Sequence, residues 1–232
     1  MACVTRSFPV TTRDDLPALT RRFEEDLERS WFRMGRLHRD NDQPAVLTRY
    51  QQEWYCEGVR HRDDDKPAWI SVNAEGKPVL LQWYSRGKLH RDGDQPSHVD
   101  MVANVKAWYL NGVRHRDGDL PSVVVHNGRI QVWCRHGQVH RDGDSPAVVD
   151  LENSETAWYS DGLVHRDGDT PALVRRGASM WMKHGKLHRA GSRAAEWGCG
   201  ILVVRSSRDL DQDQDLKQFC DHVLTFAFIR AS

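Results

Sequence analysis

The residue types best suited to chemistry recur in one short motif: histidine and arginine, followed by two aspartates and a proline. An arginine follows each of seven histidines, and six copies continue as Arg-Asp-x-Asp-x-Pro, as in HRDGDQP from His90 to Pro96. Such side chains can ligate metals, activate nucleophiles or bind phosphate. The motif histidines are His38, His61, His90, His115, His140, His165 and His188.

The spacing argues against a metal site or a catalytic site. Zinc takes about four donors at ~2.0–2.3 Å, whereas histidines on successive hairpins are predicted to lie roughly 10 Å apart. His-Arg-Asp also occurs in the catalytic loop of protein kinases, but the asparagine and glycine-rich loop that accompany it there are missing, as is a GxSxG motif. We therefore predict no enzyme, no metal and no cofactor. The histidine should bond to backbone, and the aspartates should pair with the arginine that precedes them.

Each motif belongs to a longer unit that reads WYxxGxxHRDGDxPAxV. A tryptophan stands seven residues before each histidine, and a glycine follows each tryptophan by four residues. The tryptophans are Trp31, Trp54, Trp83, Trp108, Trp133, Trp158 and Trp181. The glycines are Gly35, Gly58, Gly87, Gly112, Gly137, Gly162 and Gly185. A tandem repeat of this kind determines the fold, because one short unit cannot bury its apolar face alone.

Every unit contains two strand signals, one after the proline and one around the tryptophan, as in PSVVV from Pro121 and IQVWC from Ile130. Valine and aromatic residues suit a half-buried pleated surface, and Asn127-Gly128 favours a tight hairpin. We predict an all-β fold: an elongated, single-layer antiparallel meander with one hairpin per repeat and a C-terminal capping helix. Two strands per repeat at ~4.8 Å spacing give a sheet on the order of 70 Å long.

The aromatic residues should form two rows, because adjacent residues of a strand face opposite sides of the sheet. We predict that the tryptophans form the structural core together with the repeat glycines and histidines. The residue after each tryptophan should form a second row, which is the candidate exposed binding surface. That row consists of Phe32, Tyr55, Tyr84, Tyr109 and Tyr159.

The ends of the chain depart from the repeat, as terminal repeats do. We predict an N-terminal cap with a degenerate half-repeat over residues 1–30, seven repeats over 31–193, and a cap over 194–232 with a hairpin at 194–204 and a helix at 211–229. The N-terminal cap allows two interpretations. Residues 14–28 have a helix-forming composition, but residues 13–19 resemble a degenerate motif. We favour a strand at 17–20, as in an extra hairpin closing against Trp31, followed by a short helical turn.

The charge balance limits the partners. The chain has 33 basic and 33 acidic residues, and each arginine of the motif stands beside acids. Nucleic acid is therefore disfavoured as a partner, and membrane binding is left open but not favoured. Five scattered cysteines give no CxxC pair and no disulfide framework. The N-terminus lacks a signal-peptide pattern and no apolar run is long enough to span a bilayer, so we expect an intracellular protein.

The unit resembles a divergent MORN repeat (membrane occupation and recognition nexus). AWYLNGVRHRDGD, from Ala107 to Asp119, is similar to that family's order of aromatic strand, Asn-Gly turn, basic residue and histidine. Arg116-Asp117 stands where the family has glycine. The HRDGDxPA motif is similar to the motif found in MORN-like repeat proteins of giant DNA viruses of amoebae. The resemblance covers residues 31–190.

The resemblance implies a non-enzymatic scaffold for protein–protein interaction or assembly, such as a viral structural or host-interaction protein in the host cytoplasm or the virion. The partner would be another protein or a second copy, held by the sheet face or by the C-terminal helix. A membrane-surface adaptor that binds acidic lipid head groups is the alternative.

Overall fold

The computed structural model describes residues 19–23, 26–175 and 178–188. The predicted all-β antiparallel meander is confirmed. Each repeat, however, contains two hairpins, so the prediction of one hairpin per repeat is wrong. The tryptophan is the cause, because it lies between two strands and belongs to neither. Its backbone N–H donates to the carbonyl oxygen of the residue after the proline of its own repeat, as in Trp54 N to Ala68 O at 2.9 Å.

The strands between the proline and the next tryptophan form what we call the long hairpins. The chain divides into two compact units, Met1–Arg114 and His115–Ser232. Four long hairpins lie in the first unit: Leu19–Phe23 with Asp26–Ser30, Val46–Leu47 with Gln51–Glu53, Trp69–Val72 with Pro78–Gln82, and His98–Asp100 with Val105–Ala107. Three lie in the second unit: Val123–Val125 with Ile130–Val132, Val148–Asp150 with Glu155–Ala157, and Leu173–Arg175 with Ala178–Met180. Within each unit, successive long hairpins pair antiparallel in chain order.

The residues directly after each tryptophan form what we call the short hairpins. Each turns on two residues with positive φ, the second being the repeat glycine at 73° to 84°. Two such residues make a type I′ turn, whose twist matches that of the strands. The short hairpins are Phe32–Arg33 with Arg36–Leu37, Tyr55–Cys56 with Val59–Arg60, Tyr84–Ser85 with Lys88–Leu89, Tyr109–Leu110 with Val113–Arg114, Cys134–Arg135 with Gln138–Val139, Tyr159–Ser160 with Leu163–Val164, and Met182–Lys183 with Lys186–Leu187.

Short hairpins also join one repeat to the next within each unit. The turn glycine donates its N–H to the last strand residue of the preceding short hairpin, as in Gly58 N to Leu37 O at 2.8 Å and Gly162 N to Val139 O at 3.0 Å. A side chain at this glycine would also meet its neighbour, because a Cβ at Gly87 would come within 3.2 Å of Val59. Positive φ and close approach therefore both require glycine here. A three-residue 3₁₀ turn, His126–Gly128, closes one long hairpin.

The N-terminal prediction is corrected in part. Strand Leu19–Phe23 continues the predicted strand, and the extra hairpin before Trp31 exists. The predicted helical turn is wrong, because Asp26–Ser30 is the second strand of that hairpin and its outer edge pairs with Val46–Leu47. The predicted hairpin at 194–204 and helix at 211–229 lie outside the described residues. Within the described ranges, no helix has the length and apolar character needed to cross a membrane.

Candidate interaction surface

The motif histidines use both ring nitrogens to hold neighbouring repeats together. In six repeats Nε2 lies 2.9–3.4 Å from the first aspartate of the same motif, as in His140 and Asp142. In five of these, Nδ1 accepts the backbone N–H of the residue before the turn glycine of the next repeat, at 3.0–3.3 Å. Because Nδ1 accepts, the proton sits on Nε2 and is donated to the aspartate.

A histidine bonded in this way has no ring nitrogen left for a substrate proton or a metal. His61 differs, since its Nδ1 lies 3.3 Å from the carbonyl oxygen of Tyr84 while its Nε2 still meets Asp63. His188 is exposed, whereas His38 is buried. Over the described ranges, no group of three or more histidine, cysteine or acidic side chains is arranged to hold a metal ion. The predicted hydrogen bond between the motif histidine and the backbone is observed in five repeats through a backbone N–H, and at His61 through a carbonyl oxygen.

The arginine of the motif makes three kinds of contact at once. Its guanidinium lies 3.8–4.0 Å from the centre of the tryptophan ring of its own repeat, as Arg141 does over Trp133. Nη1 donates to the carbonyl oxygen of the motif proline at 3.1–3.4 Å. Nε and Nη2 donate hydrogen bonds to the second aspartate of the preceding repeat, as Arg141 does to Asp119 at 2.6 and 2.7 Å. Cation–π stacking and a bidentate ion pair thus fix one side chain.

The pairing of these aspartates corrects one prediction. The second aspartate pairs with the arginine of the following repeat, and not with the arginine that precedes it, because the loop carries its carboxylate towards the next tryptophan. Examples of such pairs in the described part of the chain are Asp42 with Arg62, Asp65 with Arg91, Asp119 with Arg141, and Asp144 with Arg166. Hydrogen bonding to Arg62 lowers the pKa of Asp42 to about 2. The other three aspartates also have lowered pKa values, chiefly through their arginines.

Five of the predicted core tryptophans are buried, with 6–9% of their surface exposed: Trp31, Trp54, Trp83, Trp108 and Trp133. Trp158 and Trp181 are half-buried. The arginine covers one face of the ring, which is how so large a side chain is shielded in a thin repeat.

The residues after the tryptophans do not form a row of exposed rings. Phe32 is exposed, Tyr55, Tyr84 and Tyr109 are half-buried, and Tyr159 is buried at 6%. The prediction assumed that one strand runs through the tryptophan. Because the chain turns there, the tyrosine instead faces the long hairpins, where the Tyr55 hydroxyl donates to Glu53 at 2.8 Å and the Tyr84 hydroxyl to Gln82 at 3.0 Å.

The surface that does vary between repeats lies at the tips of the short hairpins. At the position before the turn glycine the repeats carry Met34, Glu57, Arg86, Asn111, His136, Asp161 and His184. All seven have φ near 50°, a region that costs most of these residues energy. Six of the seven are exposed, while Glu57 is half-buried. Side chains kept there at a conformational cost, without a part in the shared motif, are candidates for recognition.

A cavity of about 610 Å³ opens on this surface in the first unit. Its lining includes Ser85, Arg86 and Lys88 of one short hairpin, and Asn111 of the next. The histidine–aspartate pairs of two successive motifs complete it: His61 with Asp63, and His90 with Asp92. The site combines carboxylates, cations, a hydroxyl and an amide, which suits a polar ligand.

No protein-family model matches this chain, and no curated protein matches it either. The resemblance to MORN-like repeats therefore stays a prediction that depends on the motif itself. Sequence reasoning missed the structural part of the arginine, although its position beside every histidine was visible. It also did not foresee that Cys56 is disulfide-bonded, because an odd, scattered set of five cysteines carries no pairing signal.

Proposed function

We propose that this protein is a non-enzymatic repeat scaffold that binds another protein through the tips of its short hairpins. The proposal includes membership of the MORN-like repeats and, through that resemblance, a part in viral structure or host interaction. The order of tryptophan, turn glycine and histidine supports the resemblance. The bonding of the motif residues supports the scaffold.

One observation carries the proposal: the chemically capable residues of the motif are used within the repeat array. The histidine donates a hydrogen bond through Nε2 and accepts one through Nδ1. The arginine contacts the tryptophan ring, the carbonyl oxygen of the proline and an aspartate carboxylate. Catalytic groups instead need an open position for substrate. What differs from repeat to repeat is the set of exposed tip residues, which is where a repeat protein encodes its partner.

The same bonding weakens the alternative, a membrane-surface adaptor. Binding to acidic lipid heads needs cations that are free to meet phosphate. The arginines of the motif are only 14–16% exposed at their side chains in four repeats, and each holds an aspartate. Other cations also pair with acids, as Lys66 does with Asp42 and Arg135 with Asp142.

Affinity capture with the immobilised full chain tests the proposal. The tip variant Arg86→Asn/Lys88→Gln takes its new residues from equivalent positions of other repeats, Asn111 and Gln138, so it should fold. The control Lys77→Gln/Arg129→Gln makes the same charge change on the long hairpins. We expect the wild type and the control to retain the same proteins in equal amounts, and the tip variant to change the amount retained at least severalfold.

Liposome flotation at physiological salt is the companion measurement. We expect no flotation with vesicles rich in acidic lipid. Flotation that disappears when salt is raised, together with capture of no protein, would overturn the scaffold in favour of the membrane adaptor. Equal capture by the wild type and the tip variant would exclude the short-hairpin tips as the binding surface.

A further inference from the structure

Two repeats place an arginine directly over their own histidine–aspartate pair. Arg33 and Arg135 both lie two residues after the tryptophan, in the first strand of a short hairpin. Arg135 Nη1 donates to both carboxylate oxygens of Asp142 at 3.0 and 2.9 Å, and Arg33 bonds both oxygens of Asp40 in the same way. The motif therefore offers a binding position for a guanidinium group at its first aspartate, Asp40 or Asp142, and we call this position the seat.

The seat has a second wall, which is the residue before the turn glycine of the next repeat. Arg33 Nη1 donates to Glu57 at 3.0 Å, and Arg135 Nη2 lies 3.9 Å from Asp161. The bound guanidinium contributes to holding the first aspartate ionised. Burial raises the pKa of Asp40, but the hydrogen bonds from Arg33 and His38 outweigh it, and the net pKa is lowered.

In the repeat that begins at Trp83, no side chain of its own short hairpin forms an ion pair with the first aspartate, Asp92, among the described residues. The residue two positions after the tryptophan is Ser85, which is too short to reach the aspartate. The cavity lies here, and its walls are the counterparts of the filled seats: Asp92 with His90 below, and Asn111 on the next repeat. Asp92 is fully exposed and, among the described residues, has His90 as its one ion-pair partner.

We propose that this cavity binds the guanidinium group of an arginine side chain that a partner protein presents. The inference rests on the proposed scaffold and names the chemistry of its partner. One Nη group of the ligand donates to both carboxylate oxygens of Asp92, as Arg135 Nη1 does to Asp142. The other Nη group donates to the Asn111 side-chain oxygen, which takes the place of Glu57 or Asp161. The planar fork of arginine suits this arrangement, whereas the compact lysine ammonium does not.

Two cations, Arg86 and Lys88, also line the cavity and oppose a bound cation. The first repeat shows that such a neighbour is tolerated, because Arg36 occupies the position of Lys88 beside the seated Arg33. Both Arg86 and Lys88 are exposed on long stems, so their charges can turn into solvent. Their opposition favours a ligand that bonds at two points over one that is held by charge alone.

Titration of the isotope-labelled full chain with the blocked peptide acetyl-Gly-Arg-Gly-amide, followed by NMR, tests the site. We expect saturable shifts at Ser85, His90 and Asn111, at millimolar affinity or tighter. The lysine peptide should bind at least about fivefold more weakly. Free arginine is the comparison ligand, because it carries the same guanidinium group without the flanking peptide bonds of a partner protein. Binding as tight as that of the peptide would overturn the partner protein as the source in favour of the free amino acid.

Two variants decide the outcome. Asp92→Asn should weaken peptide binding at least about fivefold, and Ser85→Arg should abolish it by seating an arginine of the chain itself. Ser160→Arg, at the equivalent position of another repeat, adds the same side chain elsewhere and should leave binding unchanged. Circular dichroism confirms that each variant is folded.

Shifts that do not saturate, or equal binding by wild type and Asp92→Asn, would overturn the guanidinium site. The two proposals can fail separately. If Ser85→Arg captures partner proteins as well as the wild type does, only the guanidinium inference is removed. Peptide binding by a chain that captures no protein would remove the scaffold.

Discussion

The two units build the same hairpins but place different side chains along the same row of strand positions. In the first unit Gln82 lies opposite His98, and both are buried. The Gln82 side-chain amide donates to His98 Nδ1 at 3.0 Å. In the second unit the corresponding residues are Val132 opposite Val148, with 0% and 2% exposure. One sheet position thus accepts either a hydrogen-bonded polar pair or a pair of valines.

The first unit extends its polar row to an ion pair. Arg60 donates to Glu53 at 2.6 Å and to the Tyr55 hydroxyl at 2.8 Å. Its guanidinium also lies 4.4 Å from the ring centre of Trp69 and 4.9 Å from that of Tyr84. The comparison teaches that each of these polar side chains enters the interior with at least one hydrogen-bond partner, although Arg60 Nε and His98 Nε2 have none. A buried polar group left wholly unpaired would cost more than one such bond contributes.

The largest effect is expected where a polar group enters the apolar row alone. Val132→Gln recreates Gln82 in the second unit without a histidine opposite it. We expect the free energy of unfolding to fall by ~2–3 kcal/mol, since the amide is buried between Val123 and Val148. Urea denaturation measures this. The control Val149→Gln, on the half-buried side opposite Gln131, should change little, and an equal loss in both would contradict the comparison.

The reverse exchange should depend on whether one or both partners change. Gln82→Val leaves His98 Nδ1 and the Tyr84 hydroxyl without their bonds, and we expect a loss of ~1–3 kcal/mol. Adding His98→Val recreates the valine pair of the second unit and should restore part of that loss. The same urea measurement on the two single variants and the double variant decides. Losses that simply add would show that the two side chains are not coupled.

The repeat, the strand class and the buried tryptophans could be predicted from the sequence, because spacing and apolar pattern are local. The short hairpin was missed although Asn111-Gly112 carries its turn signal, because the strand pattern does not show that the preceding strand ends before the tryptophan. This single miss also misplaced Tyr159, which is buried where an exposed ring was predicted.

The partner of each second aspartate was likewise out of reach. Arg116 and Arg141 are both near Asp119 in the repeat pattern, and only the three-dimensional loop selects Arg141. The candidate cavity depended on Ser85, whose small size is meaningful only beside the seated Arg33 and Arg135. Sequence gives the types at these three positions, but their common location on one histidine–aspartate pair comes from the hairpin geometry.

A smaller effect is expected on the pH dependence of stability, because the polar row of the first unit contains His98 and the valine row of the second unit contains no titratable group at Val132 or Val148. Burial lowers the pKa of His98, and Arg114 acts in the same direction while Asp100 opposes it. The unfolded chain therefore takes up this proton near pH 6.5, before the folded chain does. Stability should fall as the pH drops below that value, and stop falling below the folded pKa. Thermal melts from pH 7.5 to 5 should show this for wild type and for the control His188→Gln, which removes an exposed histidine, and less for Gln82→Val/His98→Val. An unchanged slope in the double variant would refute the assignment.

The smallest effect should be the same in both units, because the arginine–aspartate pairs do not depend on the row beneath them. Asp65→Asn in the first unit and Asp119→Asn in the second each remove one pair, and we expect a loss of ~0.5 kcal/mol, since these carboxylates are 57% and 65% exposed and screened by solvent.

Arg91 and Arg141 lower the pKa of their aspartates. The contribution is therefore complete above about pH 4, the usual range for an aspartate, and is lost as the pH falls through the lower folded pKa. Melts at pH 7 and in steps from pH 4 to 2 measure both. Each variant should be less stable at pH 7 and should lose less than wild type in acid. A clearly larger loss in one unit would mean that the row beneath and the arginine–aspartate pairs above it are coupled.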